Sequence, residues 1–279
     1  MAACLMIPIF GFCAGDNKAA LALSHYIMAA THEDLGNLDK AIEEYKKALE
    51  ADNRSSVVHL DLAVSYIKKN NFAEAIKELQ SVVSLDAEAV EPHAILALLY
   101  SAQDKSALAA GEYELALKNA SKLEPTNIDI YRSLGMIYIQ QKNLQSAENT
   151  YKLILDLAPK DPEAFFYLGT VYNELKQKDL SIKYIKKAIE LKPDFSEALN
   201  YLGYVYVEAS KNLDQAERMI KKALVLEPDN GAYIDSLGWL YFKKGRFKEA
   251  LKELEKADRL IDDPEIKGHI KAVKEKLTR

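Results

Sequence analysis

The chain has 279 residues, a formal charge of −5, 49% hydrophobic residues and 28% charged residues. That balance fits a folded soluble body and argues against general phosphate-backbone binding, which needs clustered Lys and Arg, so nucleic acid is not an expected partner. The only cysteines, Cys4 and Cys13, stand in the first fifteen residues, so the body has neither a disulfide framework nor thiol chemistry.

Residues 1–15 carry no charge and include the apolar run Leu5-Met6-Ile7-Pro8-Ile9-Phe10, followed by the small pair Ala14-Gly15 and then Asp16-Asn17-Lys18. This matches the hydrophobic part and cleavage zone of a secretory signal peptide without its basic start, and it predicts export to the periplasm or cell envelope of a bacterium. The alternative is a cytoplasmic protein whose apolar extension packs on the first helix. No other stretch approaches the length of a membrane span.

From about residue 22 the chain repeats. Leu134-Gly135 with Tyr138, Leu168-Gly169 with Tyr172 and Leu202-Gly203 with Tyr206 recur every 34 residues. Met28-Ala29 with His32, Leu62-Ala63 with Tyr66 and Leu96-Ala97 with Tyr100 precede them, and Leu237-Gly238 with Tyr241 follows one residue out of step. Apolar spacing inside a unit is helical: Ile234, Leu237, Leu240 and Tyr241 share one face, Gly245 interrupts, and Ala250, Leu251, Leu254 and Ala257 form a second stripe. Each unit therefore reads as helix, turn, helix, with units at about 22–55, 56–89, 90–127, 128–161, 162–195, 196–230 and 231–263. The third carries four extra residues before Pro125, and the sixth one extra in the turn near Ser210–Leu213. Small residues such as Gly203 with Ala216, and Gly169 with Ser181, mark where two helices cross closely. Pro125, Pro159, Pro193 and Pro228 end second helices. Residues 264–279 form a last helix with the apolar stripe Ile266, Ile270, Val273 and Leu277, and lysines elsewhere, which suits a polar cap. A period of this length means a solenoid, treated as one body without an internal boundary.

The sequence Leu-Gly-x-x-Tyr, then Ala, then a closing Pro resembles the tetratricopeptide repeat from about Ala22 to Pro264. The resemblance implies an all-α, right-handed superhelix of stacked helix pairs, the first helix of each pair lining the concave side. If that geometry holds, the groove of units five to seven presents Glu163, Phe166, Tyr167, Thr170 and Asn173, then Glu197, Asn200, Tyr201 and Tyr204, then Asp235, Trp239 and Phe242. Tyr167 and Tyr201 would form a ladder one repeat apart, with Trp239 the foremost contact residue. Two sub-types of the family do not fit. The carboxylate-clamp Lys, Asn and Arg positions hold mostly Leu, Ala, Ser, Tyr and Glu, and the asparagine ladder of glycosyltransferase arrays is replaced by Ile27, Asp61, Ile95, Ser133, Tyr167, Tyr201 and Ser236.

Catalytic patterns are missing. The five histidines are scattered along the chain with no ligand-like partner at i+3 or i+4, so neither a metal nor a cofactor is expected, and there is no phosphate loop or nucleophile turn. The sequence thus predicts a non-enzymatic scaffold holding an extended peptide or partner helix, with aromatics and acids favouring a basic segment. The alternatives are the regulatory or substrate-selecting array of an enzyme complex, or a chaperone for a secreted or pilus component.

Overall fold

The computed structural model describes residues 14–278; the apolar run of residues 5–10 and both cysteines lie outside them. Among the described residues there are only helices and short turns, so the fold is the expected all-α solenoid of paired helices. It divides into two compact units, residues 1–130 and 131–279, where the repeat alone suggests no boundary.

The first unit holds the pairs α1 (Ala14–Asp34) with α2 (Leu38–Ala51), α3 (Ser56–Lys68) with α4 (Phe72–Leu85), and α5 (Val90–Ser101) with α6 (Ser106–Leu123). The second holds α7 (Ile128–Gln140, entering from the boundary) with α8 (Leu144–Leu157), α9 (Pro162–Glu174) with α10 (Lys178–Leu191), α11 (Ser196–Glu208) with α12 (Leu213–Leu226), and α13 (Gly231–Lys243) with α14 (Phe247–Leu260), then the single helix α15 (Pro264–Leu277). The four extra residues of the third pair sit inside α6, which has 18 residues where α4 has 14. The single extra residue lies in the turn between Glu208 and Leu213, where both Ser210 and Asn212 take positive φ.

The motif tyrosine has a backbone reason for its place. Every turn inside a pair contains a left-handed residue at the same place, Gly36, Asn70, Asp104, Lys142, Lys176, Ser210 and Gly245, with Asn212 a second one in the longer turn. The next amide then reaches back to the tyrosine carbonyl, as Asn71 to Tyr66 at 2.8 Å, Gln177 to Tyr172 at 2.8 Å and Arg246 to Tyr241 at 2.8 Å. This is the six-to-one bond that closes a helix end and satisfies a carbonyl left without an intrahelical partner. Between pairs, second helices stop one residue before the cap that precedes proline, as Leu191, Lys192 and Pro193 illustrate.

The core runs along each stack. Leu62, Leu79 and Leu96 in the first unit, and Leu168, Ile185, Leu202, Ile220 and Leu240 in the second, are fully buried, each worth about 1.5–3 kcal/mol of apolar transfer. The small motif residue sets how closely the helices of a pair approach. A Cβ added at Gly169 would lie 2.5 Å from Ile185 Cγ1 and 3.2 Å from the Ser181 carbonyl; at Gly203 it would lie 2.7 Å from Ile220 Cγ1, and at Gly238 2.7 Å from Leu254 Cγ. The crossing is thus shared between the expected small partner and the large side chain four residues beyond it. In the first unit Ala29, Ala63 and Ala97 hold the motif position, all at zero exposure.

Candidate interaction face

One repeat position of the first helices, the fourth residue of α3 and α5 and its equivalent 34 residues earlier in α1, faces the seventh residue of the second helix. In the first unit that position is filled three times by the same polar pair: Nδ1 of His25, His59 and His93 lies 2.6 Å from Glu44, Glu78 and Glu112. These histidines are not isolated, as a search for i+3 and i+4 partners suggests, because each partner sits on the neighbouring helix 19 residues away. Lys47 and then His25 hold the Glu44 carboxyl below the usual range. Among the described residues no group of three or more His, Cys, Asp or Glu is placed to hold a metal ion. In two pairs of the second unit the same register is apolar: Phe165 meets Tyr184 with ring centroids 6.0 Å apart, and Leu199 packs with Met219.

The first-helix face of the second unit carries the twelve residues singled out from the sequence, and they sort into three kinds. Phe166 and Asp235 are buried, at 8% and 7% exposure, and Asp235 meets the surface only where it lines a cavity. Phe166 belongs to the core, touching Phe195 and Tyr167 at 5.2 Å and Tyr201 edge-on at 5.8 Å, so the Tyr167–Tyr201 ladder is joined through it. Tyr167 itself stacks on Tyr151 at 5.4 Å.

A second kind is occupied within the chain. Glu163 pairs with Arg132 at 3.1 Å, Thr170 Oγ1 donates to its own helix at the Tyr167 carbonyl, and Glu197 accepts from Ser196. Trp239 is stacked on Phe242 at 4.5 Å and on His269 at 4.0 Å, while its indole N–H donates to Glu208 at 2.7 Å. The cause is α15, which stands where the first helix of an eighth pair would start. His269 falls 34 residues after Asp235 and bonds to it at 2.9 Å, so α15 covers one face of the tryptophan that the sequence put forward as an open contact and leaves it half-buried. The rule that would have found this is the repeat period, applied once more past Pro264.

Asn173, Asn200, Tyr201 and Tyr204 form the third kind, around two adjoining cavities. One, about 470 Å³, is lined by Asn173, Tyr201, Tyr204 and Glu208 with Lys176, Lys178, Asp179 and Lys211 among its wall residues. The other, about 190 Å³, lies between α11, α13 and α15 and is lined by Asn200, Tyr201, Tyr204, Asp235, Asp263 and Glu265 with no Lys or Arg. Burial, followed by the Glu265 carboxylate that accepts the Tyr204 hydroxyl at 2.8 Å, pushes the Tyr204 hydroxyl well up; Glu208 and Asp235 act the same way. Burial also raises Tyr201, opposed by a hydrogen bond with Asn173. Oδ1 of Asn200 is buried without a hydrogen-bond partner. Two tyrosines therefore stand between a mixed-charge cavity and an acidic one.

Two tetratricopeptide repeat models match the chain, one over residues 33–99 and 107–167 and the other over residues 162–195 and 233–264. The chain belongs to the tetratricopeptide repeat family. Among solved structures, a tetratricopeptide repeat protein from Parabacteroides merdae is 17% identical, with 91% of this chain and 99% of that one covered at a TM-score of 0.54. The anaphase-promoting complex assembly Cut9–Hcn1 is also 17% identical, covering 88% of this chain and 48% of that one at a TM-score of 0.54. YrrB, described as a tetratricopeptide protein with an unusual peptide-binding site, is 23% identical over 70% of this chain and 97% of its own, at a TM-score of 0.44. No curated protein matches the sequence. Tetratricopeptide arrays are in general non-catalytic scaffolds that bind protein or peptide partners. In this member no helix among the described residues is long and apolar enough to cross a membrane.

Proposed function

We propose that this tetratricopeptide protein is a non-enzymatic scaffold whose second unit holds an extended peptide on the face formed by α9, α11 and α13, with a basic side chain of that peptide entering the acidic cavity beside Tyr204. The reading is carried by one observation: Tyr201 and Tyr204 open onto two adjoining cavities, and the one bounded by α15 is walled by Asp235, Asp263 and Glu265 with no Lys or Arg lining it. Aromatic rings give large contact area at small entropic cost, and carboxylates lining a cavity that holds no Lys or Arg favour a cation. The unpartnered Asn200 oxygen supplies an acceptor for an N–H. The partner is a protein or peptide with no role for nucleic acid, and the apolar start of the chain supports an exported, envelope location. Intact mass of the mature protein tests that last point, since cleavage near Ala14–Gly15 removes a defined number of residues.

The binding claim is tested on an array of extended peptides probed with the full chain and with the Tyr201→Ala/Tyr204→Ala variant. Retention of peptides containing Lys or Arg, and its loss in the variant, is expected. Equal retention by both proteins excludes this face, and preference for acidic peptides excludes the charge argument.

A further inference from the structure

The second residue of a second helix is an aspartate in α2, α10 and α12. In two of these places a lysine 30 residues further on, at the end of the next first helix, pairs with it. Asp39 pairs with Lys69, and Asp214 with Lys244 at 2.7 Å, where Lys244 also reaches Glu217 at 2.8 Å. The long side chain thus bridges a second helix and the pair that follows. Asp179 of α10 has Ala209 at the 30-residue position, and Ile182 where α12 has Glu217. Neither can make the bridge, and here the cavity of about 470 Å³ stands open, with Ile182, Val205 and Ala209 as an apolar floor.

The charges around this opening also differ from those at the two bridged places. Lys176, Lys178 and Lys211 line it, are exposed and form no ion pair among the described residues. The same positions hold Gly36, Leu38 and Asn71 beside Asp39, and Ser210, Leu213 and Arg246 beside Asp214, where Arg246 is bonded to Glu249 at 2.7 Å. Of the two carboxylates in the wall, Glu208 accepts the Trp239 indole N–H, which leaves Asp179 against three lysines. An incoming cation would meet a surplus of its own sign, whereas a carboxylate meets the opposite one.

We infer that this cavity takes an Asp or Glu side chain of the bound peptide, with an apolar neighbour on the floor, so that the face selects a segment carrying both signs: a basic residue beside α15 and an acidic one here. The inference rests on the peptide reading above and adds the second charge to it. Tyr201 and Tyr204 line both cavities, so the two charged residues fall close together along an extended chain.

The test is an array of synthetic peptides probed with the full chain. One Lys is fixed, and Leu-Glu, or Leu-Gln in its place, is set at every spacing up to about six residues on either side. At one or two spacings the Glu peptide is expected to be retained about three- to tenfold better than its Gln counterpart, as two exposed ion pairs would supply. Lys178→Gln/Lys211→Gln is expected to remove that preference. So is Ala209→Leu, which fills the floor and leaves every charge in place. Both variants should keep the helical signal and the gain from the fixed Lys. Equal retention of Glu and Gln peptides at every spacing overturns the inference, as does a preference that survives either variant. Peptides with the fixed Lys changed to Gln read the cavity beside α15 separately: no loss on that change refutes the basic-residue reading while the Glu comparison still decides this one.

Discussion

The two units solve the same packing problem with different side chains. In the first, a motif alanine keeps the two helices of a pair apart by one methyl, and a His–Glu hydrogen bond ties their outer ends three times over, at 2.6 Å in each pair. In the second, glycine replaces alanine at residues 135, 169, 203 and 238, the partner side chain presses to within 2.5–2.8 Å of where a Cβ would stand, and the outer tie is apolar in the α9–α10 and α11–α12 pairs. A close crossing stores its stability in dispersion and burial, which falls steeply with misfit; a hydrogen-bonded tie is worth less but tolerates small shifts. The second unit, with the closer crossings, is the one that carries the aromatic face.

The sharpest break of this contrast is a bulky residue at a glycine crossing. Gly203→Leu is expected to cost more than about 3 kcal/mol and to remove helical signal from neighbouring pairs as well, because each pair is stabilised by the next. Urea unfolding followed by circular dichroism reads both, and a loss confined to one pair's worth of signal counts against nearest-neighbour coupling. One step smaller, Gly169→Ala is expected to cost about 1–3 kcal/mol, and to couple to Ile185→Ala, which removes the Cγ1 that the added methyl would meet at 2.5 Å. A double-mutant cycle with no coupling would show that the crossing has slack.

In the first unit, His93→Ala is expected to cost about 1–2 kcal/mol, as its ring bonds both Glu112 and, at 3.3 Å, the Ala87 carbonyl. A loss as large as that of Gly203→Leu would erase the distinction between the two kinds of tie.

The second unit's surface gives a pH signature. Lys221 and then Lys244 hold the Glu217 carboxyl down from 4.5 to about 2. A carboxylate lowered by folding stabilises fully above its unfolded value, and the contribution disappears as pH falls through its folded one. The stability slope between pH 4.5 and 2 should therefore be shallower in Glu217→Gln, read from unfolding midpoints; an identical slope would mean that solvent screens the cluster. The smallest effect belongs to the turns. Lys176 holds a φ of +63°, and Lys176→Gly should stabilise by about 0.5–1 kcal/mol in thermal melts, whereas Gly245→Lys should do the reverse.

Much of this architecture was legible in the chain. The 34-residue period, the lengthened α6 and the extra turn residue before Leu213 all follow from counting, because a helical pair has a fixed length. The left-handed turn residues did not announce themselves, since Lys142 and Lys176 are not residues that favour that conformation and are held there by the tyrosine carbonyl bond. The His–Glu ties were hidden differently. His25, His59 and His93 share the period, and so do Glu44, Glu78 and Glu112, but a 19-residue separation signals a pair only once the turn is known to fold the second helix back on the first. On the interaction face, residue type located the aromatics, while the exposure of each depended on α15. Its repeat-like start at Pro264 brings His269 onto Trp239 and Glu265 onto Tyr204, so that α15 engages both aromatics while Tyr201 and Tyr204 still line the cavities.

Hydrogen exchange of the full chain, with and without a Lys-containing peptide retained on the array, probes this arrangement most directly. Protection on α9, α11 and α13, strongest around Tyr201–Glu208 and lost in Tyr204→Ala, is the expected result. Protection confined to the second helices α10, α12 and α14, or to the first unit, would contradict it.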